Sequence, residues 1–270
     1  MDHALVACAR MYAVAPSAAA AWHRLLTHVV DRSGVAMDVI DHPAPAPLGD
    51  LWSRDDLGCA FMCGWPLALE DQGAAAAGKP FRPIIAAPVT AAAWSAGAPV
   101  YRSDFLVAAN APFRTLADTF GHRFALSSRE SHSGFNMPLA HWAAAEPPFS
   151  QIIGPLVAPR RCIEAVVAGN AEVTAVDSYV LLLLQRHDPA LAAQVRVIDS
   201  TAANSAPPLV GSAALHDDDL HRLRATLTSL HQDDPGRTLL ADLALLRFVE
   251  ANHATYTATL AVAEKFSPAT

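Results

Sequence analysis

Cysteine is scarce in this chain: Cys8, Cys59, Cys63 and Cys162 are all it has. None of them forms a Cys-x-x-Cys pair or a Cys/His pattern of the kind that holds zinc. They read as free, mostly buried thiols, and no metal or cofactor is implied. Lysine and arginine form no cluster, and the formal net charge is −7. A nucleic-acid surface needs a basic stripe, so nucleic acid is not an expected partner, and neither is an anionic membrane surface. No apolar run reaches the roughly 18 residues of a membrane span. The longest candidate, Val180 to Leu184, is much too short. A secretory leader is not visible either: Met1-Asp2-His3 is no basic start, and Arg10 interrupts the first apolar stretch. The expectation is a cytoplasmic protein, or a periplasmic one whose leader was removed.

What the chain does have is apolar substance. Hydrophobic residues make up 52% of its 270 residues and charged ones 17%. Alanine dominates the apolar share and favours helices. That composition excludes disorder and suffices for one large domain or two small lobes. Strand and helix patterns alternate, which predicts an α/β fold with largely parallel sheets. Ala4 to Met11 reads as a strand. Ser17 to Val30 reads as an amphipathic helix with Trp22, Leu25, Leu26, Val29 and Val30 on one face and Gly34 as a left-handed cap. Strands are predicted over Val35 to Ile40, Leu57 to Met62, Pro83 to Val89, Asp104 to Ala109, Arg123 to Ser127, Phe149 to Leu156, Glu172 to Val176, Val195 to Asp199 and Leu209 to Ser212. Helices are predicted over Pro66 to Gln72, Ser133 to Ala145, Arg160 to Ala168 and Ser178 to Gln185. The last of these is apolar nearly all round, hence buried. Asp217 or Asp218 would cap a helix carrying Leu220, Leu223, Leu227 and Leu230, and the remainder reads as helical.

Two loop-like segments, residues 90–102 and Ser200 to Pro208, bracket a central α/β block. A lobe interrupted by a second lobe is the layout of a hinge-closing binding protein, although a single α/β domain fits the spacing too. The expected boundaries give residues 1–98 and 203–270 to one lobe and 99–202 to the other.

The stretch Arg123 to Leu139, RFALSSRESHSGFNMPL, resembles the phosphate/phosphonate-type substrate-binding proteins of ABC transporters. Their pattern is a strand, a Ser-x-Ser-Gly loop, an aromatic residue and a helix. Met11-Tyr12, Cys63-Gly64-Trp65-Pro66, Tyr101-Arg102-Ser103, Gly169 to Val173 and Ala175-Val176-Asp177 follow in the expected order. The likeness runs over residues 4 to 212. It implies a two-lobed type II periplasmic-binding-protein fold with a ligand cleft between the lobes. Family members often carry a Gly-Ser-His-like turn before the helix at Arg160. Here the segment reads Gly154-Pro155-Leu156-Val157-Ala158-Pro159-Arg160, without the histidine, and Arg160 or Arg161 stands nearby.

The resemblance selects Tyr12, Trp65, Tyr101, Ser103, Ser131, His132, Ser133 and Asp177 as ligand-binding candidates, with no catalytic residue among them. Ser131, His132 and Ser133 sit where a strand meets a helix N-terminus, whose unpaired N–H groups and dipole favour an anion. Gly134 would let a ligand approach the backbone. Each candidate also has a plain structural reading. Ser131 or Ser133 could simply cap the helix, and Ser131 could cap while Ser133 binds. His132 is a donor to the anion or an exposed loop histidine. Tyr101 covers the ligand or packs a hinge, and Ser103 offers its hydroxyl. Tyr12 and Trp65 wall an apolar side or belong to the core. Asp177 is an N-cap or a carboxylate facing the ligand; in the second case it repels a bare dianion and favours a protonated or zwitterionic ligand. Cys63 is structural, or a nucleophile if its pKa were lowered.

The expected function is a solute-binding protein for a small oxyanion or zwitterion, serving ABC-type transport or sensing and partnered by a permease. The alternative is a cytoplasmic enzyme on the same fold acting on a small anionic metabolite. A monomer or weak dimer is expected. A regulatory ligand-binding domain would need a partner, because this chain carries no helix-turn-helix.

Overall fold

Trp22, Leu25, Leu26 and Val29 are buried along one face of a helix over Pro16–Ser33. Proline at its first turn lacks only an N–H that the helix would leave unpaired. Gly34 ends it in the left-handed region at φ 65°, returning its N–H to the Val30 carbonyl at 3.0 Å. This helix belongs to one of two units in the computed structural model, which describes residues 4–142 and 148–264. The chain passes between the units at Val100/Tyr101 and at Asn204/Ser205. The described residues after Tyr256, 257–264, group with the second unit, a third passage between the two.

The first unit is built on a six-stranded sheet. One side of it is parallel, with Leu5–Cys8 between the edge strand Met37–Val39 and Leu57–Phe61. Beyond Leu57–Phe61 the sheet continues with Leu209–Val210, Ile84–Thr90 and Leu245–Val249, each antiparallel to its neighbour. The expectation of largely parallel sheets is therefore corrected, since the strands that return from later in the sequence run the other way. The stretch after the leucine-rich helix is not wholly helical either. Leu245–Val249 is a strand whose register slips between Leu245 and Arg247. That irregularity breaks the strict alternation by which a half-buried strand is recognised.

The second unit carries a five-stranded sheet in the order Val195–Ser200, Ser103–Ala108, Val173–Asp177, Arg123–Ala125, Gln151–Ile153. Arg123–Ala125 runs parallel to both its neighbours, whereas Ser103–Ala108 is antiparallel to both of its own. Side chains alternate along a strand, so Phe105 and Val107 share a face with Val173 and Ala175. That face is buried with Phe124, and Phe135, Trp142 and Phe149 pack against it. The Trp142 ring meets Phe149 edge-on at 4.8 Å and Phe124 at 5.6 Å. Ser178–His187 is buried through Val180, Leu181, Leu183 and Leu184, as its apolar character predicts. The helix expected over Ser133 to Ala145 begins instead with a π-helical turn, His132–Asn136, and continues as an α-helix over Met137–Trp142. Residues 143–145 lie outside the described residues.

Candidate functional site

Arg123–Ala125 and Val173–Asp177 are parallel, so their carboxyl ends emerge on the same edge of the second unit's sheet. In open α/β sheets that edge is where ligands bind. After Ala125 the chain runs through Ser127-Ser128-Arg129-Glu130 into the π turn. Ser131 caps it: its Oγ accepts the Gly134 N–H at 2.9 Å. The Ser131 carbonyl accepts N–H groups from both Phe135 and Asn136, at 3.0 and 3.3 Å. The Asn136 bond spans five residues, which is what widens the turn. Gly134 has a packing reason of its own. A Cβ at this position would lie 2.8 Å from the Ser127 Oγ and 2.9 Å from the Ser131 Oγ. Two hydroxyls crowd the glycine, and Ser127, absent from the sequence expectation, joins the cluster.

Ser103 and Asp177 are opposite one another in the ladder between their strands. They continue the face that carries Phe105 and Ala175, and the π turn packs against Val173–Asp177. Ser103 is fully buried. Its hydroxyl donates to the Ser133 carbonyl at 2.7 Å, and its N–H to Thr201 Oγ1 at 3.0 Å. The Ser103 hydroxyl proton is thus engaged in holding the turn in place. The bond takes the Ser133 carbonyl and leaves the Ser133 hydroxyl out of it. Asp177 is buried, and its Oδ1 accepts the Tyr179 N–H at 2.7 Å, so it caps Ser178–His187. Burial, and then the Asp177 charge, hold the Tyr179 phenol well above its ordinary pKa.

His132 is not an exposed loop residue, being only 1% exposed. Burial pushes its pKa down to about 4, so the ring is neutral at physiological pH. Its Nε2 lies 3.0 Å from the Asn204 Nδ2. Its Nδ1 is buried with no hydrogen-bond partner among the described residues, and so is the Asn136 Nδ2 in the same turn. Asn136 and Asn204 were missed in the sequence. Asn136 is aimed by a π register that no pattern signals, and Asn204 acts from 72 residues away.

The other candidates are dispersed. Tyr12 and Trp65 belong to the first unit, and the remaining six to the second. Tyr12 stands in a single 3-10 turn, Arg10–Tyr12, and is 1% exposed. It stacks on Trp22 at 6.3 Å and meets the Phe61 ring edge-on at 4.8 Å, so it packs as core. Trp65 is half-buried in the first turn of the helix Gly64–Ala76, with Cys63 at the N-cap. Tyr101 is buried at the first crossing. Arg160 does not stand ready for an anion, because it already bonds Glu164 at 2.7 Å and Asp188 at 2.8 Å. The four cysteines are free; burial pushes the thiols of Cys59 and Cys162 up to about 12, which suits packing rather than reactivity. Among the described residues, no group of three or more His, Cys, Asp or Glu could hold a metal ion, and no helix is long and apolar enough to cross a membrane.

No curated protein sequence matches the chain. Among solved structures, a binding-protein component of an ABC phosphonate transporter from Pseudomonas aeruginosa aligns with a TM-score of 0.76 and 18% identity, over 96% of this chain and 86% of that one. PhnD1 from Prochlorococcus marinus, in complex with methylphosphonate, aligns with a TM-score of 0.77 and 16% identity, over 97% of each chain. The GluR0 ligand-binding core from Nostoc punctiforme, in complex with glutamate, aligns with a TM-score of 0.60 and 12% identity, over 89% of this chain and 99% of that one. The fold is therefore that of the two-lobed periplasmic binding proteins. A family model described as the periplasmic substrate-binding protein of the phosphonate ABC transporter matches residues 74–256. The chain belongs to the family of periplasmic substrate-binding proteins of phosphonate ABC transporters.

Proposed function

We propose that this protein binds a small oxyanion or zwitterion of the phosphate or phosphonate class and delivers it to an ABC permease or a sensor. One observation carries the reading. The Ser131–Asn136 turn carries the hydroxyls of Ser131 and Ser133, has the Ser127 hydroxyl beside Gly134, and holds two buried side-chain nitrogens, His132 Nδ1 and Asn136 Nδ2, that have no partner among the described residues. Leaving a buried donor unsatisfied costs about 1–3 kcal/mol, so such a pair in one turn calls for an explanation. An anion with several acceptor oxygens supplies it. The Ser131 hydroxyl accepts from Gly134 and keeps its own proton to donate. His132 is neutral and adds no charge, so the anion is held by dipoles and hydroxyls rather than by a cation. Asp177, on the same edge of the sheet, then selects the other end of the ligand: a carboxylate there favours a protonated or cationic group. PhnD1 with methylphosphonate and GluR0 with glutamate show the fold holding each kind of ligand in those proteins.

Calorimetric titration with phosphate, methylphosphonate and an aminoalkylphosphonate tests the reading. At least one is expected to bind. Ser133→Ala should weaken that binding by about 1–3 kcal/mol, the usual worth of a hydrogen bond to a charged group. Equal affinity of the wild type and Ser133→Ala for every ligand that binds would leave the turn an ordinary helix cap.

A further inference from the structure

An imidazole sealed from water needs partners for both ring nitrogens, and His132 has one among the described residues. The atom facing its Nε2, at 3.0 Å, is the Asn204 amide nitrogen. An amide NH2 donates and does not accept. The ring nitrogen that meets it must therefore accept, and an accepting Nε2 carries no proton. A neutral ring has one proton, which then sits on Nδ1. That N–H is the buried donor without a partner. It lies in the turn that carries the Ser131 and Ser133 hydroxyls, with a second unpartnered donor, Asn136 Nδ2, three residues away in sequence from Ser133.

We infer that Asn204 is a positioning residue: it locks His132 in the Nδ1–H tautomer, so that the buried ring offers one neutral N–H to an oxygen of the bound anion. The tautomer lock stands on the geometry alone, while the donor role rests on the proposed function. Asn204 begins the short strand Asn204–Ser205, at the second crossing between the units. A residue of the crossing segment thus sets the protonation pattern of a residue in the ligand turn. Free neutral histidine prefers the opposite tautomer, so the lock has a spectroscopic signature that a merely structural contact would not produce.

The test is a long-range proton–nitrogen correlation spectrum of the full chain at pH 7, without ligand. The His132 ring is identified by its disappearance in His132→Asn, or, should that variant fail to fold, by its through-space contact to the Asn204 amide protons. An Nδ1–H pattern is expected, and Asn204→Ala should turn it toward the Nε2–H pattern. A wild-type ring in the Nε2–H form would mean that the Asn204 amide presents its oxygen, and would overturn the inference. On addition of methylphosphonate the Nδ1 resonance should shift. Asn204→Ala should weaken methylphosphonate binding roughly three- to tenfold, about one hydrogen bond, and should add nothing in the His132→Asn background. A loss that persists in that background would show that Asn204 acts otherwise than through His132. If methylphosphonate binds and leaves the Nδ1 resonance unmoved, the donor role fails and the proposed function stands. If neither it nor inorganic phosphate binds, the proposed function fails, and the spectrum of the free protein still decides the tautomer.

Discussion

At the scale of single residues, His132 links the site to stability. Its pKa falls from 6.5 to about 4 in the folded chain because burial disfavours the cation. Between those two values the unfolded chain binds the extra proton and the folded chain does not. Stability therefore rises with pH across that window. The contribution is complete above the ordinary value and is lost as the pH falls through about 4. The shift is worth about 3 kcal/mol at most. Denaturant unfolding at pH 7 and pH 4.5 should show the wild type losing roughly 2 kcal/mol more than His132→Asn on acidification. Identical pH slopes would mean the ring is reached by water. Asp177 offers a cleaner separation of cap from ligand. Asn caps as well as Asp does, so Asp177→Asn should keep the bond from the Tyr179 N–H and cost little stability. It removes the charge, so binding of an aminoalkylphosphonate should fall at least about tenfold, while methylphosphonate should bind as well or better. Calorimetry of both ligands reads this directly, and an equal loss for both would mean the carboxylate does not meet the ligand's cationic end. The capping roles of Ser131 and Asp177 were legible because residue type and position suffice for a cap. The burial of His132 and its bond to Asn204 were not, because neither leaves a trace in local pattern.

At the scale of elements, the legible parts are those with an unbroken period. The Pro16–Ser33 helix announces itself by its apolar stripe and its Gly34 stop, and Ser178–His187 by its uniform apolarity. Strand direction was not legible, because it depends on a partner elsewhere in the chain. Leu245–Val249 was missed because its register slip places Leu245 and Phe248, three residues apart, on the buried side. The π turn reads as plain helix in the sequence, since one extra residue in a turn changes no residue type. Gly134 makes that turn testable. An alanine there forces the Ser127 and Ser131 hydroxyls to rotate away, and the Ser131 bond to the Gly134 N–H goes with them. Gly134→Ala should cost about 1 kcal/mol, as the loss of a cap does, and lower the urea midpoint accordingly. Its affinity for methylphosphonate should fall as well, because the same hydroxyls are displaced. Unchanged midpoint and affinity would show that the turn has room to spare.

At the scale of the whole molecule, the two-unit organisation was legible in the two loop-like segments, where the chain leaves one sheet for the other; the passage after Tyr256 falls inside the helix His253–Glu264 and leaves no such segment. The net charge of −7 raises a different question, since it opposes the approach of an anion. Within the Ser131–Asn136 turn itself no side chain carries a positive charge. His132 is neutral, and Asp177 is itself a carboxylate. Arg129 stands 5.3 Å above the Phe135 ring, with Glu130 next to it in the chain. Repulsion from the whole surface acts at long range, whereas the hydrogen bonds that hold the ligand act at contact. Salt screens the first and barely touches the second: the Debye length falls from about 30 Å at 0.01 M to about 8 Å at 0.15 M. The association rate of methylphosphonate should therefore rise with salt over that range, by roughly two- to fivefold, while its dissociation rate changes little. An aminoalkylphosphonate with a smaller net charge should show a weaker dependence. Stopped-flow fluorescence of the tryptophans at several salt concentrations separates the two rates. An association rate that falls with salt would show that cations outside the turn focus the anion, and would move the source of anion selectivity from dipoles and hydroxyls to those charges.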